Sequence, residues 1–429
     1  VKSVSRITFV LVLLNLVLST LACQTVARLW EPTSTVTPSP TAVSPAQARH
    51  QAIFERVWTL VKENYVYADY NGVDWDAVYA EFAPRVAAAE DDEAFWKLMA
   101  EMIERLGDDH SVFVDPQGVA EEDRQAEGNL DYVGIGIYLD PPHDGRDYAV
   151  VLMVFPDSPA EQSGLQPHER ILEVAGIPVR DNLDGLLGPV GTTVTATVQK
   201  PGEAPRVLTF TRARIQTRLP IPHHVIPTPE GEVAYLLIPT LVDETIGQRT
   251  RELLASLAQE HELRGLILDL RINGGGTYQV LEELLSTFTA GKMGSFVRRG
   301  GTSQVLMIQA NPVPGLPPDL PLVILVGPET VSFAEVLSGS LQAVGRAYLI
   351  GLPTAGNVEA IYPYDLEDGS RLWLAEESFV PVTGERWEGR GVQPDERVEQ
   401  AWEDFSSDEE DLALQTALRY LQEVMRQPP

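Results

Sequence analysis

The sequence predicts an α/β fold joined to a β-rich part, with a helical domain in front, and three changes of texture predict it. Apolar residues recur at helical spacing up to about residue 106. Short β-type runs broken by turn formers begin at residue 131, and beyond about residue 215 buried-strand runs alternate with helices. The 429-residue length suits two or three domains. The formal net charge of −30 argues against nucleic acid as a partner, because duplex affinity comes largely from cations that neutralise phosphates. One cysteine in the whole chain excludes an intramolecular disulfide and any cysteine-based metal site. The motifs imply no metal and no organic cofactor.

Lys2 and Arg6 precede an apolar run from Ile7 to Leu18, which exits through Ser19, Thr20, Leu21 and Ala22 to Cys23. A positive start, a short apolar stretch and a small-residue exit describe an export signal over residues 1–22. The apolar run itself is shorter than the roughly 20 residues of a membrane span. Cys23 stands where a resemblance to bacterial lipoprotein signals implies an acylated residue; an ordinary signal with an incidental cysteine is the alternative. Residues 23–45, rich in Thr, Ser and Pro, read as an extended polar tether. The expectation is an exported protein of the cell envelope, lipid-anchored through Cys23 or else secreted or periplasmic. So acidic a globule is repelled by an anionic bilayer, so the anchor would be its only hold on a membrane.

Residues 46–117 read as an N-terminal helical domain. Ile53, Val57, Leu60 and Val61 share a face, a second helix covers Trp75 to Ala89, and Phe95, Leu98, Met99, Met102 and Leu106 line a third, which Gly107 stops. Residues 118–129, polar and acidic, read as a linker. Residues 128–213 carry β runs at 132–137, 148–154, 170–174 and 192–198. Glycines at 134 and 136 let successive N–H groups of Val133, Gly134, Ile135, Gly136 and Ile137 converge on a carboxylate, with Ile135 and Ile137 as an apolar seat. Alone, Gly-x-Gly is equally a tight β bend. Residues 158–165, 168–172 and 188–194 continue the pattern in order, and together these stretches resemble a PDZ domain of the kind carried by C-terminal processing proteases. That resemblance implies recognition of flexible protein C-termini at Val133–Ile137.

Residues 214–400 hold the α/β core, with strands at Val233–Ile238, Gly265–Leu270 and Leu322–Val326 and helices at Thr245–Ala258, Gln279–Phe288 and Ser332–Val344. Residues 401–429 read as a C-terminal helix opened by Ser407 to Glu410. The strand at 266–270 runs into the triple glycine 274–276, whose flexibility lets the amides of Gly274 and Gly275 point into one cavity, as an oxyanion hole requires. A plain glycine-rich turn is the alternative, and so is a phosphate cradle, which lacks its Gly-Lys-Ser/Thr sequel. Ser332 stands at a strand-to-helix turn where the helix dipole favours developing negative charge, although Ser332 and Glu335 also have capping-box spacing. With Gly345-Arg346-Ala347 and residues 351–354, these segments resemble the C-terminal processing (tail-specific) serine peptidases. The resemblance implies a ClpP/crotonase-like core, Ser332 as nucleophile, and oxyanion donors among Gly274, Gly275 and Phe333.

One position departs from that family. Its base is a lysine 25 residues beyond the serine, after Thr-x-Gly, whereas here Thr354-Ala355-Gly356 is followed by Asn357. The lysines are Lys2, Lys62, Lys97, Lys200 and Lys292, so none follows Ser332, and an arginine stays protonated. Tricorn-type proteases of the same superfamily resemble the chain at residues 107–111 and 387–395, which implies His110 as base and Glu388 as the residue completing the site; Asp109 stands where tricorn has a serine. An imidazole can take the hydroxyl proton and return it to the leaving amine. A surface histidine after a helix stop is the alternative reading of His110. The expected mechanism is attack by Ser332, with His110 as base and then acid, Glu388 orienting the site, and the Gly275 and Phe333 amides receiving the oxyanion. Two rivals stay open: an inactive envelope receptor that grips tails, and a carrier of apolar ligands.

Overall fold

A computed structural model describes residues 44–108, 110–143 and 145–426, so the export signal, Cys23, most of the tether and Asp109 lie outside the described residues. The helical part comprises α1 (Pro45–Asn64), α2 (Trp75–Ala87) and α3 (Asp92–Glu104). Asp74 and Asp91 cap α2 and α3 by accepting the N–H groups of Ala77 and Ala94, donors that have no partner inside a helix. The apolar stripes bury Phe54, Val57, Phe82, Phe95 and Met99, yet this core is not self-contained: Leu366, Leu372, Leu374 and Ala375 complete it. A short strand, β1 (Val112–Val114), leaves the helices to pair antiparallel with residues 371–373. The segment around His110 is therefore fixed from both sides.

Residues 118–129 are not a linker. Most of them belong to α4 (Pro116–Ala126), capped by Asp115 on the Gly118 N–H with Pro116 in the first turn. None of its residues is buried, so the apolar period that announces a helix is missing from its sequence.

The middle module contains β2 (Leu130–Gly134), β3 (Ile137–Asp140), β4 (Ala149–Val154), α5 (Pro159–Gln162), β5 (Arg170–Val174), β6 (Ile177–Pro178), α6 (Val179–Asn182), β7 (Thr193–Gln199), β8 (Arg206–Thr211) and β9 (Ala213–Thr217). The order β3-β4-β5-β7-β8 is antiparallel throughout, β6 pairs with β5, and β2 pairs with β9 as a separate ribbon. That ribbon pairs Leu130–Gly134 with Ala213–Thr217, on either side of the module. Gly136 has φ +84°, and a Cβ there would lie 2.3 Å from the Ser158 Cβ, which makes it a glycine by necessity. The bend it allows turns Ile135 into the module's core at 2% exposure, its carbonyl accepting the Ala160 N–H. Ile135 therefore supplies no apolar seat; Ile137, half-buried, is the one left to do so.

The core follows as β10 (His223–Thr228), β11 (Gly231–Leu237), α7 (Ile246–Glu260), β12 (Leu263–Asp269), α8 (Tyr278–Phe288), β13 (Gly291–Arg298), β14 (Ser303–Ile308), β15 (Leu322–Val326), α9 (Phe333–Ala343), β16 (Tyr348–Gly351), β17 (Glu359–Asp365), β18 (Arg371–Pro381), β19 (Glu396–Arg397) and α10 (Leu412–Arg426). One sheet has the order β10-β11-β12-β15-β16-β19 and is parallel from β11 onward. Every residue of β15 is buried, which explains its unbroken apolar run. A second, antiparallel sheet runs β1-β18-β13-β14, with β17 also on β18. The terminal helix starts later than expected. Asp411 caps it through the Leu414 N–H, while Ser407 to Glu410 only make a turn.

Candidate active site

The glycine turn and Ser332 leave the carboxyl ends of β12 and β15, adjacent parallel strands, which is where open α/β sheets place their ligands. Ser332 has φ 57° and ψ −128°. A serine that only caps a helix is extended, whereas positive φ in a residue with a side chain costs about 1–3 kcal/mol and persists only where neighbours impose it. Here they do. The Val331 N–H donates to the Asn273 carbonyl, the Thr330 hydroxyl to the Leu270 carbonyl, and the Ser332 N–H to Glu335 Oε2 at 3.0 Å.

Asn273, wholly buried, donates Nδ2 to the Ile238 carbonyl and accepts the Gly275 N–H on Oδ1 at 2.9 Å. Gly275 has φ +88°, and a Cβ there would sit 2.7 Å from the Ser332 Cβ, so only glycine lets these segments touch. Its N–H is nevertheless spoken for: the expected oxyanion role of Gly275 meets the Asn273 side chain as a competitor. Phe333, the residue after the serine, meets Phe296 and Tyr278 edge-on, so aromatic rings pack beside the Ser332 turn.

Glu335 is buried and accepts four hydrogen bonds, from the Ser332, Gly356 and Asn357 N–H groups and the Thr354 hydroxyl. Asn357, in place of the processing-family lysine, thus contributes a backbone N–H to the serine's own turn. Gly356 approaches residues 389–391 so closely that a Cβ would meet the Gly391 nitrogen at 2.6 Å. This contact brings in Glu388, whose Oε2 accepts the Val358 N–H at 3.0 Å. Burial, and then repulsion from Glu359, push the Glu388 carboxyl up to about 7, while the Val358 N–H and His110 pull the other way.

His110 lies between the helix stop at Gly107 and β1. Asp108 Oδ1 accepts the His110 and Ser111 N–H groups, and its Oδ2 accepts the Tyr65 hydroxyl. The imidazole is 8% exposed, with Nδ1 2.9 Å from Glu359 Oε2. Its Nε2 is buried and has no hydrogen-bond partner among the described residues. Glu359 Oε1 accepts the Tyr67 hydroxyl at 2.5 Å. Asn357, Val358 and Glu359 are consecutive and reach Glu335, Glu388 and His110 respectively by hydrogen bonds, so one segment links the serine turn, the further glutamates and the imidazole.

Sequence reasoning missed Glu359 and Tyr67. The available signal was an acid in the apolar run Val358-Glu359-Ala360-Ile361, since a buried carboxylate demands a partner. Glu388 was expected to orient the site, but its hydrogen bond goes to the Val358 backbone, and the group bonded to His110 is Glu359. Val133–Ile137 belongs to the middle module, in a different sheet system from Ser332. Elsewhere, Asp140, His143 and Glu329 bring potential metal-ligating atoms within 4.8 Å of one another, but the Arg146 guanidinium already pairs with Asp140.

A buried imidazole held on a carboxylate, in one region with a strained serine on a strand-to-helix turn, defines a class, the serine-type hydrolases. Residues 232–398 match the peptidase family S41 and residues 46–104 match the tricorn protease C1 domain. The chain is a serine-type peptidase whose residues 232–398 carry a peptidase family S41 domain. It is 27% identical over 390 residues to a carboxyl-terminal-processing protease of Picosynechococcus sp., covering 86% of this chain and 89% of that one. It is 28% identical over 367 residues to carboxyl-terminal-processing peptidase 3, chloroplastic, of Arabidopsis thaliana, covering 80% and 68%. The solved photosystem II D1 C-terminal processing protease superposes with a TM-score of 0.60 at 23% identity, over 82% of this chain and 93% of that one. Mature CPAF complexed with lactacystin does so with 0.52 at 14% identity, over 89% and 98%. At these identities the solved structures speak to the fold alone.

Proposed function

We propose that this chain is an exported endopeptidase that cleaves proteins or peptides held by flexible C-terminal tails, through an acyl-enzyme on Ser332 with His110 as base. One observation carries the reading: a nine-tenths-buried imidazole whose Nε2 has no partner among the described residues, while its Nδ1 is held by a carboxylate. Burying an unsatisfied nitrogen is costly unless something else binds it, and a hydroxyl proton in flight is such a ligand. Ser332 Oγ attacks the scissile carbonyl carbon; its proton passes to His110 Nε2 and then to the leaving amine, and water resolves the ester. Gly274 and Phe333 supply the oxyanion amides, with Gly275 joining them if Asn273 releases its N–H. The PDZ-like middle module presents the tail at Val133–Ile137, chiefly through backbone groups and Ile137. Residues 1–22 direct export, and Cys23 carries the lipid that holds the globule to the envelope; no described helix is long and apolar enough to cross a membrane.

A fluorophosphonate probe tests the chemistry. Ser332 is expected to be labelled, Ser332→Ala to abolish labelling, and His110→Ala to slow it by roughly a hundred- to ten-thousand-fold. Labelling undiminished in His110→Ala removes the base. An unlabelled wild type removes the nucleophile and leaves the tail-holding receptor, the reading that Asn357 favours. For the tail, an unfolded reporter with an apolar C-terminus is expected to be cut, and indifference to its last residues rejects the middle module's role.

A further inference from the structure

We infer that Glu359, rather than Glu388, is the positioning residue for His110: its carboxylate accepts the Nδ1–H and so places the lone pair on Nε2. The inference rests on the Ser332–His110 reading and adds to it a residue that the resemblance did not supply. The geometry is direct. Glu359 is 3% exposed, its Oε2 stands 2.9 Å from Nδ1, and its other oxygen accepts the Tyr67 hydroxyl at 2.5 Å. A carboxylate that accepts at both oxygens acts as an acceptor only, which compels Nδ1 to be the protonated nitrogen. The side chain is aimed by its place in the sheet. Glu359 opens β17, and the register of β17 on β18 shifts between Ala360 and Ile361, a bulge of the sort that re-aims side chains next to functional sites.

The groups around the imidazole divide the work. Asp108 holds the backbone N–H of His110, not the ring. Glu388 reaches the ring only electrostatically and bonds the Val358 N–H. Glu335 is occupied by the serine turn, and Arg386 lies within electrostatic reach of Tyr67. When Ser332 gives its proton to Nε2, the ring becomes an imidazolium, and Glu359 balances the positive charge without accepting a proton. The competing explanation is structural, because the Tyr67–Glu359–His110 chain also ties the helical domain to the second sheet. That role predicts lost stability on substitution and no change in how the reaction responds to pH.

The experiment is the rate of Ser332 labelling by a fluorophosphonate as a function of pH, in the full chain. Glu359→Gln keeps the size and removes the charge that favours imidazolium. Its rate at neutral pH is expected to fall by about a hundredfold. The acid limb of its profile is expected to move down by about one pH unit, as for loss of an adjacent opposite charge. Glu359→Asp, which keeps the charge, is expected to hold the limb in place. A Glu359→Gln protein with an unmoved limb overturns the inference, as does a limb that moves in Glu388→Gln and not in Glu359→Gln. Side-chain ¹⁵N NMR separates this failure from failure of the parent reading. Even if Ser332 never reacts, the His110 signal, assigned by its absence in His110→Gln, must report Nδ1–H and must titrate lower in Glu359→Gln.

Discussion

His168 and His110 each join two parts of the chain, and their surroundings differ in one respect that matters. His168 leaves the middle module to pack against Trp402 and Phe405, with ring centroids 4.2 Å away in both cases, and its Nδ1 lies 2.7 Å from the Trp402 carbonyl. Around it, Trp402 Nε1 donates to the Val151 carbonyl and the Tyr148 hydroxyl to Glu403. Arg271 lies over both Trp402 and Phe405 while held between Asp269 and Asp411. His110 instead faces a carboxylate, and its other nitrogen has no partner among the described residues. Backbone strain does not tell these sites apart, since His168 has φ 71° and Ser332 has φ 57°. At His168 packing holds the strain and the ring nitrogen meets a neutral backbone carbonyl. At Ser332 strain coincides with a nitrogen left without a partner among the described residues and with crowded carboxylates, the combination on which the proposed chemistry rests.

The largest expected effect breaks the pair apart by stability. His168→Ala removes an aromatic stack and a hydrogen bond at a joint between two modules, and should lower unfolding free energy by roughly 2–4 kcal/mol, in the range of other large-to-small core changes. Ser332 labelling well below its melting transition should stay within a few-fold of wild type. His110→Ala should do the reverse. Equal destabilisation by the two, read from urea midpoints, would mean that His110 is also an architectural residue.

A second test uses acid. Burial pushes the His168 imidazole down to about 4, from an ordinary value of 6.5. The unfolded chain therefore takes up the proton first. The contribution of a neutral His168 is complete above about pH 6.5 and is lost as the pH falls toward 4. His168→Phe, which keeps a ring in the stack but cannot titrate, should flatten the fall of the urea midpoint across that window. An unchanged slope would show that acid sensitivity comes from the carboxylate network instead.

How much of this was legible in the sequence depends on the range of the interactions. Ser332, Glu335 and the glycine turn were readable because each is a local pattern at a strand end, and Gly275 must be glycine for a reason one can state from its contact with Ser332. The positive φ of Ser332 was not readable, because contacts from residues 270–273 impose it. His110 was visible only through resemblance, and its partner lies 249 residues away on a strand that carries no motif. The His168 joint depends on a residue 234 positions distant, so nothing local distinguished that histidine from an exposed one. Helix α4 stayed hidden because it buries nothing. The burial of Ile135 was not legible, because the bend at Gly136 that turns it inward depends on the approach of Ser158.

The smallest expected effect sharpens the comparison by its sign. Glu388 is displaced in the direction opposite to His168 in its consequences: burial and Glu359 lift its carboxyl from 4.5 to about 7. Between those values the folded chain holds a proton that the unfolded chain has lost, so stability declines as pH rises through this window. Because the side chain is only partly buried, solvent screens the effect, and it should be smaller than the acid effect at His168. Glu388→Gln cannot titrate, so its urea midpoint should gain on wild type as pH goes from 4.5 to 7, while His168→Phe gains only toward acid. The gain should shrink when Glu359→Gln is added, since Glu359 supplies the largest electrostatic repulsion on Glu388. If the two substitutions prove additive instead, the glutamates do not sense each other, and the crowding of charge that separates this site from the His168 joint is not there.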